Sequence, residues 1–269
     1  MPAIRPLFTL MAASAVFAAE PSALDRGYTQ MYNLDFEDAH RTFAEYHLAH
    51  PDDALGPVSN AAAYLFAEFD RLRILQAEFF THDDNFKNSK KLAPDPAVRK
   101  AFDREMAAAE QLANRALGKQ SKDTNALFAM ILVHGLRSDY DGLIDKRYLS
   151  AFSAMKKGRA FANQLLALDP TYYDAYLAVG VENYMLSLKP APVRWIMQLG
   201  GAETDKAKGL AQLRQTAEKG HYLQPFARLL MGVAALRDRN TQLAKEILSG
   251  LVSQFPRNRL YVEELARIK

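Results

Sequence analysis

The sequence predicts an all-α chain, a solenoid of stacked helix pairs, and three stretches carry that prediction. Between Phe226 and Pro256 (FARLLMGVAALRDRNTQLAKEILSGLVSQFP), Gly232 is followed by Ala244 twelve residues on. Leu248 comes four further, Leu251 three further and Pro256 five beyond that. The same ladder stands near the start as Gly27, Ala39, Phe43, Tyr46 and Pro51. A partial copy, Gly158, Ala162, Leu165 and Pro170, is followed by Gly180. Small residues let two helix axes approach, and residues three and four apart share a helix face. Each proline stops a second helix because it lacks the N–H and clashes with the preceding turn. One hairpin cannot bury its apolar face alone, so neighbouring hairpins stack into a continuous core. The alternative is an ordinary helical bundle in which the spacing is coincidental.

The elements follow in order. Leu24 to Leu34 and Phe36 to Ala49 read as the first pair, stopped at His50-Pro51. Val58 to Thr81 reads as one long apolar helix, residues 81–96 as a polar loop, and Ala97 to Lys119 as an Ala-rich helix. Asp123 to Arg137 opens the third unit, residues 138–146 (SDYDGLIDK) interrupt it, and Arg147 to Leu168 completes it. Tyr172 to Leu188, an interruption over 189–205 and Lys206 to Lys219 make the fourth. The fifth is the Phe226–Pro256 pair, and Arg259 to Lys269 reads as a capping helix with Asn258 as its N-cap.

All three interruptions fall between the first and second helix of a unit. Equivalent positions of a solenoid lie on one edge, so the inserts at 81–96, 138–146 and 189–205 are expected to come together in space. Loops clustered on a rigid scaffold are the usual place for binding. The plainer role for them is to shield the edge of the stack.

The first residues, MPAIRPLFTLMAASAVFAAEP, read as a secretory signal, with Arg5 in a basic leader and Leu7 to Phe17 apolar but too short to span a bilayer. Val16-Phe17-Ala18 fits the small-x-small cleavage pattern, which leaves residues 1–18 as signal and 19–269 as a single helical-repeat domain. The chain has no cysteine, which excludes disulfides, thiol catalysis, cysteine metal sites and an acyl anchor on cysteine. The expected location is periplasmic or secreted, in a bacterium. The net charge of +3 and the absence of a basic run argue against a nucleic-acid partner, and no transmembrane segment is expected in the mature chain.

From residue 22 onward the chain resembles tetratricopeptide-repeat (TPR) proteins, in particular exported bacterial ones with degenerate, insert-bearing repeats. The most distinctive run is 174–230, which opens D-A-Y-x-x-x-G-x-x-x-Y and, after an insert, continues with a Gly-x-x-x-Leu helix and an Ala-rich repeat. The resemblance implies a right-handed superhelix whose first helices line a concave face, and it implies no reaction. Some TPR proteins grip a C-terminal carboxylate with Lys and Asn on that face. The corresponding positions here are Leu24, Tyr28, Leu177, Val181, Leu229 and Val233, none of which donates a charged hydrogen bond.

Adding Met31, Tyr184, Phe226 and Leu236 to those positions gives an apolar concave surface. A solvated stripe of this kind is an interaction site or a liability. Either an amphipathic partner helix or lipid-like ligand lies there, or the segment PVRWIMQLGG covers it, with Trp195, Ile196 and Leu199 on one face and Arg194 beside them. The residues expected to meet a partner are therefore Tyr28, Met31, Leu177, Val181, Tyr184, Arg194, Trp195, Phe226, Leu229 and Val233.

Signals for chemistry are weak. His47 and His50 stand i, i+3 with Glu45 nearby, without a carboxylate–histidine motif of enzyme type, which favours a solvated or capping role over a metal site. Asp139, Asp141 and Asp145 lie as in a calcium loop but lack its later glutamate. Glu182 and Asn183 fit polar groups that tie an insert in place. No phosphate loop, nucleophile elbow or H-E-x-x-H occurs. The expected function is a non-catalytic scaffold or adaptor for a protein or peptide, without cofactor or metal. A small-molecule or lipid-binding protein closed by residues 189–205 is the alternative.

Overall fold

The computed structural model describes residues 21–74, 93–188 and 204–268. The described residues are all-helical, with eleven α-helices and no strand. We number them α1 (Ala23–Tyr32), α2 (Phe36–Ala49), α3 (Leu55–Arg71), α4 (Pro96–Lys119), α5 (Thr124–Asp139) and α6 (Tyr148–Leu168). α7 (Tyr176–Ser187), α8 (Lys206–Lys219), α9 (Gln224–Arg237), α10 (Thr241–Gln254) and α11 (Arg259–Arg267) complete the chain. Each helix packs on the next in sequence. None among the described residues is long and apolar enough to cross a membrane.

Side chains fix several helix starts. Ser22 and Asp25 form a capping box on α1, and Asp95 caps α4 immediately before Pro96. Asp123, Asp205, Asn240 and Asn258 accept backbone N–H groups at the starts of α5, α8, α10 and α11. Such a cap satisfies donors the helix leaves unpaired and is worth about 1 kcal/mol.

The helix ends differ from the sequence expectation. The helix expected to run from Val58 to Thr81 stops at Arg71, where Ile74 N bonds Phe69 O at 2.9 Å with Arg73 at φ 55°. α1 ends the same way, through Asp35 N to Gln30 O at 2.9 Å and Leu34 at φ 65°. α9 does so through Asn240 N to Ala235 O at 2.8 Å and Arg239 at φ 59°. These are left-handed helix stops built without glycine. The interruption expected at 138–146 is no open loop. α5 runs into a π-turn over Tyr140–Ile144, closed by Asp145 N to Tyr140 O at 3.1 Å.

Three glycines set the tightest helix approaches. A β-carbon on Gly27 would stand 2.3 Å from Phe43 Cε1, so the first rung of the ladder is a direct α1–α2 contact. A β-carbon on Gly209 would lie 2.6 Å from Tyr184 N, and one on Gly180 2.9 Å from Leu213 N. α7 and α8 thus cross with backbone almost on backbone.

In a one-dimensional stack each unit touches only its neighbours. Here α1 and α3 also touch residues 222–259, far along the chain. Tyr28 stacks on Tyr222 at 4.8 Å, Tyr32 lies 5.4 Å from Phe255, and Phe66 meets Phe226 edge-on at 5.6 Å. Tyr32 Oη donates to Tyr222 O at 3.0 Å, and Arg257 N donates to Asn33 Oδ1 at 3.1 Å. Ion pairs Arg257–Asp35 and Arg259–Asp70 edge the contact. The main core therefore runs from α1 through α6 and takes in Leu223, Leu248, Leu251, Phe255 and Tyr261.

Candidate functional site

The residues expected on a concave face fall into two groups. Tyr28 and Met31 are core, at 4 % and 1 % exposure, because the last unit packs over α1. Phe226 and Leu229 are half-buried against the same core. Tyr184, 4 % exposed, anchors a smaller cluster with Leu213 and Ala234. Leu177, Val181, Leu188, Leu210, Leu230 and Met231 pack around it half-buried, and Val233 is half-buried on α9. Arg194 and Trp195 lie outside the described residues, as do residues 1–18 and most of the inserts at 81–96 and 189–205.

The described end of one insert, at Asp95, and Asp145 of another both lie against the start of α4. Glu68 Oε1 accepts from Asp95 N at 2.8 Å, and Arg71 donates to Ala93 O at 2.8 Å, which fixes the stem of the first. Arg99, one turn into α4, then reaches Asp145 of the second at 3.1 Å. Tyr140 stacks on Phe102 at 5.0 Å, with the Arg99 guanidinium 4.2 Å from its ring centre.

Between α4, the end of α5, the π-turn and the start of α6 lies a cleft of about 320 Å³. Phe102, Met106 and Tyr140 floor it, and charged side chains rim it. Arg99 bonds Asp103 at 2.7 Å as well as Asp145. Arg147 bonds Asp141 and lies 3.2 Å from Asp145. Ser150 adds a second donor to Asp141, and Arg137 meets Glu110 at 3.1 Å across the far end. The Tyr140 hydroxyl is buried beside the Arg99 guanidinium. Beside the cleft, burial pushes the Asp139 carboxyl up to about 7, although the residue as a whole is only half-buried.

These pairings answer the calcium reading of Asp139, Asp141 and Asp145. Arginines occupy Asp141 and Asp145, and among the described residues no group of three or more His, Cys, Asp or Glu is placed to hold a metal. His50 packs at a tilt of 43° against Tyr46, 4.6 Å between ring centres, and His40 bonds Asn60 at 2.6 Å beside Tyr64. Glu182 is fully buried with Arg159 at 3.2 Å, and Asn183 donates to Gln212 at 2.9 Å. Both residues join described helices, and the tie to an insert expected of them falls on residues outside those described. Asp174 clamps the α8–α9 turn by accepting from His221, Tyr222 and Leu223 N at 3.0–3.1 Å. Burial raises its pKa against the pull of those three donors.

Sequence reasoning missed the cleft. Arg99, Phe102, Asp103 and Met106 share one face of α4 at helical spacing, a signal the Ala-rich composition hid. Tyr140 sat inside a segment read as loop.

No family model, no curated protein and no solved structure matches this chain.

Proposed function

We propose that the protein is a non-catalytic scaffold that holds a protein or peptide partner in the bacterial cell envelope. It works as a right-handed TPR-type superhelix with inserts between paired helices, exported by its N-terminal signal. The apolar leader with its Val16-Phe17-Ala18 site supports export.

One observation carries the partner reading. Leu177, Val181, Leu210, Leu230 and Met231 gather half-buried around Tyr184, Leu213 and Ala234 on α7, α8 and α9. The Gly180–Gly209 crossing fixes the backbones beneath them. A rigid apolar patch loses little conformational freedom on binding, and methionine adapts its shape to a partner. Leu177, Val181, Tyr184 and Val233, all expected to meet a partner, stand on these helices. An apolar ligand cavity draws less support. The pocket at Met31, Leu229 and Tyr261 is about 20 Å³, room for about one water.

Crosslinking capture from the native envelope tests the reading, comparing wild type with Val181→Asp and Trp195→Ala. Wild type is expected to capture a partner that Val181→Asp loses while keeping its helical circular dichroism. Capture of nothing but itself by wild type, or undiminished capture by Val181→Asp, overturns the proposal.

A further inference from the structure

One side of α6 carries apolar side chains into water. The helix buries Ala154, Gly158, Ala162 and Leu165, a single stripe at helical spacing. Leu149 stands on the side opposite that stripe and is 89 % exposed. Tyr148 beside it is 50 % exposed, and Phe152 lies half-buried one turn on. Exposed apolar residues scattered singly are ordinary. Here an aliphatic and two aromatic side chains share the first turns of one helix.

The charges on this helix have one sign. From residue 146 to 168 the chain carries Lys146, Arg147, Lys156, Lys157 and Arg159 and no acid. The neighbouring acids are engaged behind it. Asp141 and Asp145, 5 % and 15 % exposed, hold Arg147, and fully buried Glu182 holds Arg159. Asp169, past the far end, accepts from Thr171. Lys156 and Lys157 are exposed, and Lys156 Nζ lies 6.0 Å from the centre of the Phe152 ring. Cation and apolar surface are thus presented together.

Shape and charge select the occupant. Tyr148, Leu149 and Phe152 line neither the charged cleft nor the pocket at Met31. Leu149 projects rather than lining a hollow, and protein partners bind most strongly through packed, desolvated pockets. A fluid lipid surface closes around a projecting side chain without a preformed counterpart. Tyrosine suits the water–lipid boundary, and a lysine stem lies along apolar surface while its ammonium stays wet. Apolar and aromatic residues beside lysines are the composition of helices that lie in that boundary. Anionic headgroups complement the unbalanced positive charge, and neutral ones do not.

We propose that the first three turns of α6 rest on an anionic phospholipid membrane, with Tyr148, Leu149 and Phe152 at the headgroup–acyl boundary and Lys156 and Lys157 at the phosphates. The contact lies in the plane of the membrane and crosses nothing. It is separate from the apolar patch on α7, α8 and α9.

The cysteine-free chain allows a single environment-sensitive fluorophore to be placed at Ser153→Cys, exposed one turn beyond Leu149. Ser249→Cys, exposed on α10, reports attachment elsewhere on the chain. The full chain is titrated with vesicles of phosphatidylglycerol and phosphatidylcholine, and with vesicles of phosphatidylcholine alone. The Ser153 label is expected to shift to the blue with the anionic vesicles only, and the Ser249 label with neither. Leu149→Asp, and Lys156→Gln with Lys157→Gln, are each expected to weaken the anionic titration about tenfold or more with unchanged circular dichroism. No shift at Ser153, an equal shift with neutral vesicles or at Ser249, or an unchanged affinity in either folded variant overturns the proposal. Crosslinking of the same cysteine to an envelope protein, with the label silent on vesicles, assigns the face to a protein and overturns it as well.

Discussion

The side-chain amide of Asn258 donates a 2.7 Å hydrogen bond to the carbonyl of Tyr32, joining positions 226 residues apart. The same side chain accepts from Leu260 and Tyr261 N at the start of α11. One residue thus caps the last helix and satisfies a carbonyl at the end of the first. Asn258→Ala removes the cap and leaves a buried carbonyl unpaired, which together cost about 2–3 kcal/mol. Asn258→Asp keeps the cap but sets a carboxylate oxygen against the Tyr32 carbonyl, so it too should fall below wild type. Urea denaturation of the three proteins reads both losses directly.

Glycine substitutions should separate sharply by position. Gly209→Ala places a methyl 2.6 Å from Tyr184 N, where backbone must shift, and should cost more than about 2 kcal/mol. Gly250→Ala meets nothing within 4 Å on an exposed face of α10 and should stabilise by about 0.5–1 kcal/mol. Thermal melts of the pair should move in opposite directions.

Arg239 sits at φ 59° in the turn between α9 and α10 and is exposed. Glycine adopts that conformation without a β-carbon penalty, so Arg239→Gly should raise stability by about 0.5–1 kcal/mol. Arg239→Val should lower it, because a β-branched side chain resists positive φ. Denaturation midpoints of the two variants check the sign.

Asp139 gives the chain a pH dependence of known direction. Its carboxyl lies near 7 in the folded protein against 3.8 in the unfolded chain. The folded state therefore holds the proton more tightly between those values. The stability this contributes is complete below about pH 4 and is lost as pH rises through about 7. The shift sets a ceiling of about 4 kcal/mol, which water around a half-buried residue reduces to about 1–2. Asp139→Asn should accordingly be near neutral at pH 4 and stabilising at pH 8, measured by urea midpoints at both.

Local order was legible because it rests on neighbours in sequence. Gly27 against Phe43, the proline stops and the Asn258 cap all follow from residue types at fixed offsets. The helix stops at Leu34, Arg73 and Arg239 were not, since a left-handed residue that is not glycine leaves no mark in composition. The π-turn at Tyr140 was hidden for a related reason. One extra residue in a helical turn looks, in sequence, like a break. The burial of Tyr28 and Met31 was out of reach altogether. It depends on Tyr222 and the last unit coming back to α1, a tertiary relationship no periodicity encodes. The cleft combines both failures, a π-turn opposite a helix whose charged face was diluted by alanine.

The meeting of α1 with residues 255–261 also bears on how the molecule is made. Tyr32 takes part of its surroundings from Phe255 and Asn258, more than 220 residues further along, so an emerging nascent chain keeps α1 incompletely sheltered until those residues are made. A chain cut just before residue 255 would then be weakened at α1, and would present that helix to proteases.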